Sequence, residues 1–298
     1  MTIVVAYTRQ DSGTSALELA NVLARSTGEP LVVAVVIATP QAAGLPDLVD
    51  GDHLGPLMDW GNSVLDQARA SLPKDIEATF EVRQASSIPA GLLKLCADTG
   101  ASALVLGSSS KGSLGRISLG SVTDRLVHTA PLPVLLAPRG FRSGPTSRIR
   151  RVSIGLGGSS GGAHLATVGA HLAETVGADL RAVSFAVRPP KRFYGTLEDS
   201  ADALVVEQWV TRTKAALQAV VGVKNAALAD RLANSLVVGE GVSWGKAIWD
   251  VPWSDGDLLV VGPSSSAVGA RLFLGSRASK ILRSAPVPVM LVPAERAG

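Results

Sequence analysis

The chain is poor in several residue types, and each shortage excludes a class of protein. It holds one cysteine, Cys96, in 298 residues. A single thiol builds neither a disulfide framework nor a cysteine-ligated metal site. The four histidines, His53, His128, His164 and His171, are scattered without companion carboxylates, so no metal is expected. Aromatic residues make up 4% of the chain, and 28 Lys and Arg against 25 Asp and Glu leave a net charge of +3. A nucleic-acid reader carries a denser basic stripe with interleaved aromatics, so no nucleic-acid partner is expected. No apolar run approaches the roughly 18 residues of a membrane span. The longest, Leu31 to Ala38, has strand length and β-branched composition. No basic stretch precedes the opening apolar residues, so no secretory leader is expected and the expected location is the cytoplasm.

What the chain does have is a repeat. Leu104-Val105-Leu106-Gly107-Ser108-Ser109-Ser110 leads through Leu119-Gly120-Ser121 to Ala130-Pro131-Leu132-Pro133-Val134. Leu259-Val260-Val261-Gly262-Pro263-Ser264-Ser265 leads through Leu274-Gly275-Ser276 to Ala285-Pro286-Val287-Pro288-Val289. Each landmark recurs 155 residues later: Gly107 as Gly262, Gly120 as Gly275, Pro138 as Pro293. A strand, a Gly/Ser loop, a helix and a strand repeated at a fixed offset mean two copies of one domain. We place them at 1–140 and 148–298. Between them, Arg139 to Arg150 is rich in Gly, Ser, Pro and Arg and reads as a linker.

Apolar patterning predicts the same succession in both halves. In the first, strands fall at 2–7, 31–38, 76–82, 103–107 and 133–137. Helices lie between them, the first ending before Gly28 and the fourth running from Ser121 to Thr129. In the second, strands fall at 152–156, 180–186, 232–238, 258–262 and 288–292, with a long helix over 197–221. Continuous apolar strands alternating with helices require parallel sheets covered on both faces. The fold class is α/β: two tandem doubly wound domains, each with a five-strand, mainly parallel, Rossmann-like sheet of flavodoxin-like or similar order. Ligands in such sheets sit beyond the strand carboxyl ends, where the winding reverses.

The repeated loop has the parts of an anion cradle. Gly107, Gly112, Gly115 and Gly120 let backbone approach a ligand, Ser108, Ser109, Ser110 and Ser113 supply hydroxyls, and Lys111 and Arg116 supply charge. Ser121, with Asp124 three residues on, reads as the N-cap of a helix whose amino end attracts anions. Read from the residues alone, the loop is either such a cradle or an ordinary capped connection. The P-loop pattern Gly-x-x-x-x-Gly-Lys-Ser/Thr is absent.

Gly107, two residues, Ser110, nine residues, Gly120-Ser121 resembles the signature of the universal stress protein family, with Ser110 in place of its second glycine. Gly262, two residues, Ser265, nine residues, Gly275-Ser276 resembles it in the same way, and the Ala-Pro-x-Pro-Val endings do so too. The resemblance spans nearly the whole chain. It implies a stress-adaptation regulator and an adenine nucleotide such as ATP or AMP as ligand, with Mg2+ arriving only with the nucleotide. It assigns Gly107, Ser110, Gly120, Ser121 and Val122 to ribose and phosphates in the first half, and Gly262, Ser265, Gly275 and Ser276 in the second. The Asp that nucleotide-binding members carry after the first strand is replaced by Thr8 in one half and Gly157 in the other, which makes the first half the better nucleotide site. The resemblance also implies pairing of the two halves as a pseudo-dimer through their last strands, and a homodimer. The alternative is an interaction protein of the same fold that works without ATP.

Other residues suit structural roles. His128 lies two helical turns from Ser121, too far to activate it, so no catalytic centre is expected and only a slow ATPase activity stays open. Cys96 sits among Leu92, Leu93 and Leu95 and reads as core. Trp209, Trp244, Trp249 and Trp253 read as core or interface packing. The glycine-rich run from Gly155 to Gly162 reads as a flexible turn.

Overall fold

A computed structural model describes residues 1–39, 54–156, 162–187, 199–262 and 276–294, residues 54 and 199–205 by backbone alone. Gly157, Ser265 and Gly275 lie outside the described residues, as does the expected loop after residue 39. The chain divides into two compact units, Met1–Arg148 and Ile149–Gly298.

The first unit begins with β1 (Thr2–Ala6), whose central residues Ile3, Val4 and Val5 are fully buried. Helix α1 (Asp11–Thr27) follows and ends at Gly28, where φ is +75°. Only glycine takes that left-handed turn without cost. α1 buries Leu17, Leu19, Leu23 and neighbouring small residues, each leucine contributing about 1.5–3 kcal/mol by leaving water. β2 (Leu31–Ala38), α2 (Leu54–Ser71), β3 (Ala78–Ala85), α3 (Ile88–Thr99), β4 (Ala101–Gly107), α4 (Ser121–Thr129) and β5 (Val134–Ala137) complete the unit. The parallel sheet has the order β3-β2-β1-β4-β5. That differs from the flavodoxin-like order. β2 continues outward to β3, and only then does the chain cross to the far side of β1. The winding therefore reverses between β1 and β4, which are paired as Val4 with Leu104 and Val5 with Val105.

The second unit repeats the plan with β6 (Arg151–Gly155), α5 (Gly162–Val176), β7 (Asp179–Val187), α6 (Asp199–Leu217), a π-helical turn (Gln218–Gly222), α7 (Ala226–Asn234), β8 (Val237–Gly241), α8 (Trp244–Trp249), β9 (Asp257–Val261), α9 (Ser276–Ser284) and β10 (Val289–Leu291). Its order is β8-β7-β6-β9-β10, again parallel.

Two expected strands move. β3 starts at Ala78 rather than Ile76, because the Ile76 N–H turns back to the Pro73 carbonyl. It runs on to Ala85, paired with Ala38. The strand expected from Leu232 is α7 up to Asn234. The Asn225 side chain caps that helix by accepting the Leu228 N–H at 2.9 Å. Leu228, Ala229 and Leu232 form its buried face.

Below the second sheet a charged cluster is buried. Asp257 (4% exposed) receives Arg151 at 2.7 Å and Arg181 at 3.3 Å, and Arg181 lies over the Trp253 ring at 5.0 Å. Burial and the neighbouring Arg151 push the Arg181 guanidinium below its usual value, while Asp257 raises that of Arg151.

Candidate functional site

At the carboxyl end of β4 the chain is held against the start of α1 by backbone contact. A Cβ on Gly107 would stand 1.9 Å from the Ser12 carbonyl oxygen, and one on Gly13 would stand 1.9 Å from the Thr8 carbonyl oxygen. No side chain fits either position. The two glycines thus bring the ends of β1 and β4 together at the point where the winding reverses.

From Gly107 the loop closes on itself. Ser108 is buried, 1% exposed. Its hydroxyl accepts the Ser118 N–H at 2.7 Å and lies 3.3 Å from the Arg116 and Ser118 carbonyls. The Ser109 N–H donates to the Ser118 carbonyl at 2.8 Å. Arg139, just past β5, holds the far side. Its N–H donates to the Arg116 carbonyl and its own carbonyl accepts the Gly115 N–H, both at 2.9 Å, while its guanidinium reaches the Gly112 carbonyl. Ile117 is fully inside the core. The loop is therefore pinned at its neck and its tip.

The loop ends at α4, and here the cap differs from the sequence reading. Gly120, not Ser121, is the N-cap, with φ −83° and ψ 170°, and no side chain caps the helix. Ser121 is the first helical residue. The Gly120 carbonyl accepts the Asp124 N–H at 2.8 Å, which leaves the first-turn N–H groups and the positive end of the helix dipole facing the loop mouth. Ser110 and Ser121 are exposed and make no side-chain hydrogen bond among the described residues. Val122 is half-buried beside them. Of the loop hydroxyls, Ser108 serves the loop itself, and Ser110 and Ser121 face outward.

Thr8 stands past the end of β1, exposed, with its hydroxyl 3.1 Å from that of Ser12. It supplies no carboxylate. Asp11 opens α1 and is exposed in its first turn. No base reaches Ser121 among the described residues. His128 lies toward the other end of α4, with Nε2 3.8 Å from Asp124. No group of three or more His, Cys, Asp or Glu among the described residues could hold a metal.

At the matching point of the second unit the described neighbour is a side chain. A Cβ on Gly262 would meet Leu165 side-chain atoms at 3.5 Å, an ordinary contact. Ser276 is the first residue of α9 and is exposed.

The model for the "Universal stress protein family" matches residues 1–138 and 148–293. Universal stress protein Rv2319c of Mycobacterium tuberculosis is 33% identical over 300 residues, covering 98% of this chain and all of that protein. The chain belongs to the universal stress protein family. The crystal structure of a universal stress protein from Archaeoglobus fulgidus superposes with a TM-score of 0.58 at 17% identity, covering 98% of this chain and 97% of the other. A shorter universal stress protein from the same organism, solved in complex with dAMP, covers 46% of this chain at 22% identity, with a TM-score of 0.32. The two matched segments give this universal stress protein its tandem form.

The sequence reading missed one feature of the second unit. A cavity of about 660 Å³ opens beside the ends of β6 and β7, lined by residues of α5, α6, the π-helical turn, α8 and α9. The clustered tryptophans were its only signal. Trp209 and Trp244 line it, whereas Trp253 donates its indole N–H to the Ile248 carbonyl at 2.7 Å and Trp249 is 54% exposed.

Proposed function

We propose that this universal stress protein is a stress-adaptation regulator whose first unit holds an adenine nucleotide. The phosphates lie over the amino end of α4, against the N–H groups of Ser121 and Val122 and the hydroxyls of Ser110 and Ser121. Gly107 and Gly120 give them room, and Thr8 faces the base or ribose. Any Mg2+ enters with the phosphates. By the repeat, Gly262, Ser265, Gly275 and Ser276 are the matching positions of the second unit. The role is binding, without a catalytic step. The observation that carries this reading is the uncapped end of α4 beside a loop already pinned by Ser108 and Arg139. Such an end attracts anions. The dAMP named for the Archaeoglobus protein belongs to the proposed ligand class.

Thermal unfolding of the full chain with ATP, ADP and AMP tests the proposal. A ligand at a hundredfold excess over its Kd stabilises the bound form by about 2.7 kcal/mol, an easily measured rise in Tm. Ser121→Glu places a carboxylate where a phosphate would lie and is expected to abolish the shift while leaving the Tm without ligand nearly unchanged. Absence of a shift at millimolar nucleotide refutes the proposal and leaves an interaction protein that works without ATP. Thr8 in place of a carboxylate favours that second reading.

A further inference from the structure

The stretch that composition marks as a plain linker, Arg139 to Arg150, belongs to the first unit as far as Arg148. Two tight turns shape it. Gly140, with φ +74°, turns the chain after β5, and the Phe141 N–H donates to the Pro138 carbonyl at 3.0 Å. Further on, the Ser147 N–H donates to the Gly144 carbonyl at 3.1 Å, and the Gly144 N–H donates to the Ser147 hydroxyl at 2.9 Å. Pro145 is the second residue of that turn, where its fixed φ fits.

Helix α1 holds this strap at two places. Glu18, half-buried, takes both Ser143 donors on one carboxylate oxygen, the hydroxyl at 2.7 Å and the backbone N–H at 3.3 Å. Arg148 reaches the Arg25 carbonyl. The Arg25 hydrogen bond holds the Asp75 carboxyl below its ordinary value, and the charge of Arg148 adds to that. Glu18 and Arg25 stand two helical turns apart on one face of α1, so the strap lies along the helix. The contacts that hold it are polar and charge-assisted. Arg142, Gly144, Pro145, Thr146 and Arg148 are exposed, and Phe141 is half-buried. Lifting the strap exposes little apolar surface, the mark of a segment that opens locally.

We propose that residues 140–148 are a latched strap. Glu18 closes it on α1, and it opens as one piece, turning from a folded part of the first domain into free linker while that domain stays folded. The inference does not rest on the nucleotide reading, and its test adds no ligand. Amide exchange of the full chain is followed by mass spectrometry at rising urea concentrations below the unfolding midpoint. The strap is expected to exchange at least about tenfold faster than β4 and at least about tenfold slower than unstructured chain, with little dependence on urea. Glu18→Ala is expected to quicken strap exchange, and trypsin cleavage after Arg142, by about tenfold while α1 and β4 keep their protection. Ser143→Ala removes the hydroxyl and keeps the backbone donor, so a smaller increase is expected at no risk to α1. The proposal is overturned if the strap follows β4 in its urea dependence, since it then opens only with the whole domain. It is equally overturned if the parent strap already exchanges like unstructured chain, or if both variants behave like the parent.

Discussion

Single atoms decide several properties of this protein. Gly107 and Gly262 occupy equivalent positions of the repeat; a methyl group on the first would enter the Ser12 backbone, and on the second it would meet Leu165 side-chain atoms at 3.5 Å among the described residues. Gly107→Ala is expected to lower stability by about 1–3 kcal/mol, the range for forced insertions into packed structure. Urea unfolding of this variant beside the parent measures the loss. Cys96 is 4% exposed, and burial pushes its thiol up to about 12. Native protein at pH 8 is therefore expected to react with an aromatic disulfide reagent only as fast as it unfolds; immediate stoichiometric reaction would contradict the burial. Asp98 is held below its ordinary value, first by its hydrogen bond to Arg83 and then by Lys94. A carboxyl depressed in the folded state stabilises at pH above its unfolded value and loses that contribution as the pH falls through the folded one. The urea midpoint of Asp98→Asn is accordingly expected to fall less between pH 6 and pH 3 than that of the parent.

At the scale of elements, the loop of the first unit and the charged cluster of the second are the parts most open to test. Removing the Arg139 side chain frees the Gly112 carbonyl, so amide exchange over residues 112–116 is expected to quicken in Arg139→Ala while α1 keeps its protection. In the second unit, Asp257→Ala strands Arg151 and Arg181 beneath the sheet. Breaking a buried pair from one side costs about 3–5 kcal/mol, and a loss under 1 kcal/mol would show that water already reaches the cluster. The strands were legible in the sequence because β-branched runs such as Leu31 to Ala38 fit little else, and Gly28, Gly100 and Gly177 marked helix ends, all with positive φ. α7 was not, because its apolar residues Leu228 and Leu232 run directly into the strand that follows. The π-helical turn leaves no trace in apolar spacing. In the loop, glycine spacing marked the connection between β4 and α4, but nothing in a row of three serines told which would latch the loop and which would face outward.

For the whole molecule, the repeat showed two domains, and the structure gives each of them features of its own among the described residues. The first unit closes its loop neck with backbone, and the second opens a cavity of about 660 Å³ beside its first two strands. Thr8 offers a hydroxyl where the second unit has Gly157, so calorimetry with a nucleotide is expected to give a stoichiometry near one per chain, and a value near two would mean that both copies of the loop serve alike. That cavity was hidden in the sequence for a topological reason. Its walls come from five helical elements and two strand ends, separated by as many as 126 residues between Gly155 and Ile281, and only folding assembles them. The charge is divided as well, with 11 basic and 13 acidic residues over 1–144 against 17 and 12 over 145–298. Among the described residues no helix is long and apolar enough to cross a membrane.

Arg139 sits one residue beyond Pro138, where the first domain hands the chain on toward the second. Its amide, carbonyl and guanidinium all grip the loop between β4 and α4. Any shift of that loop thus pulls on the same three threads that anchor the departing chain.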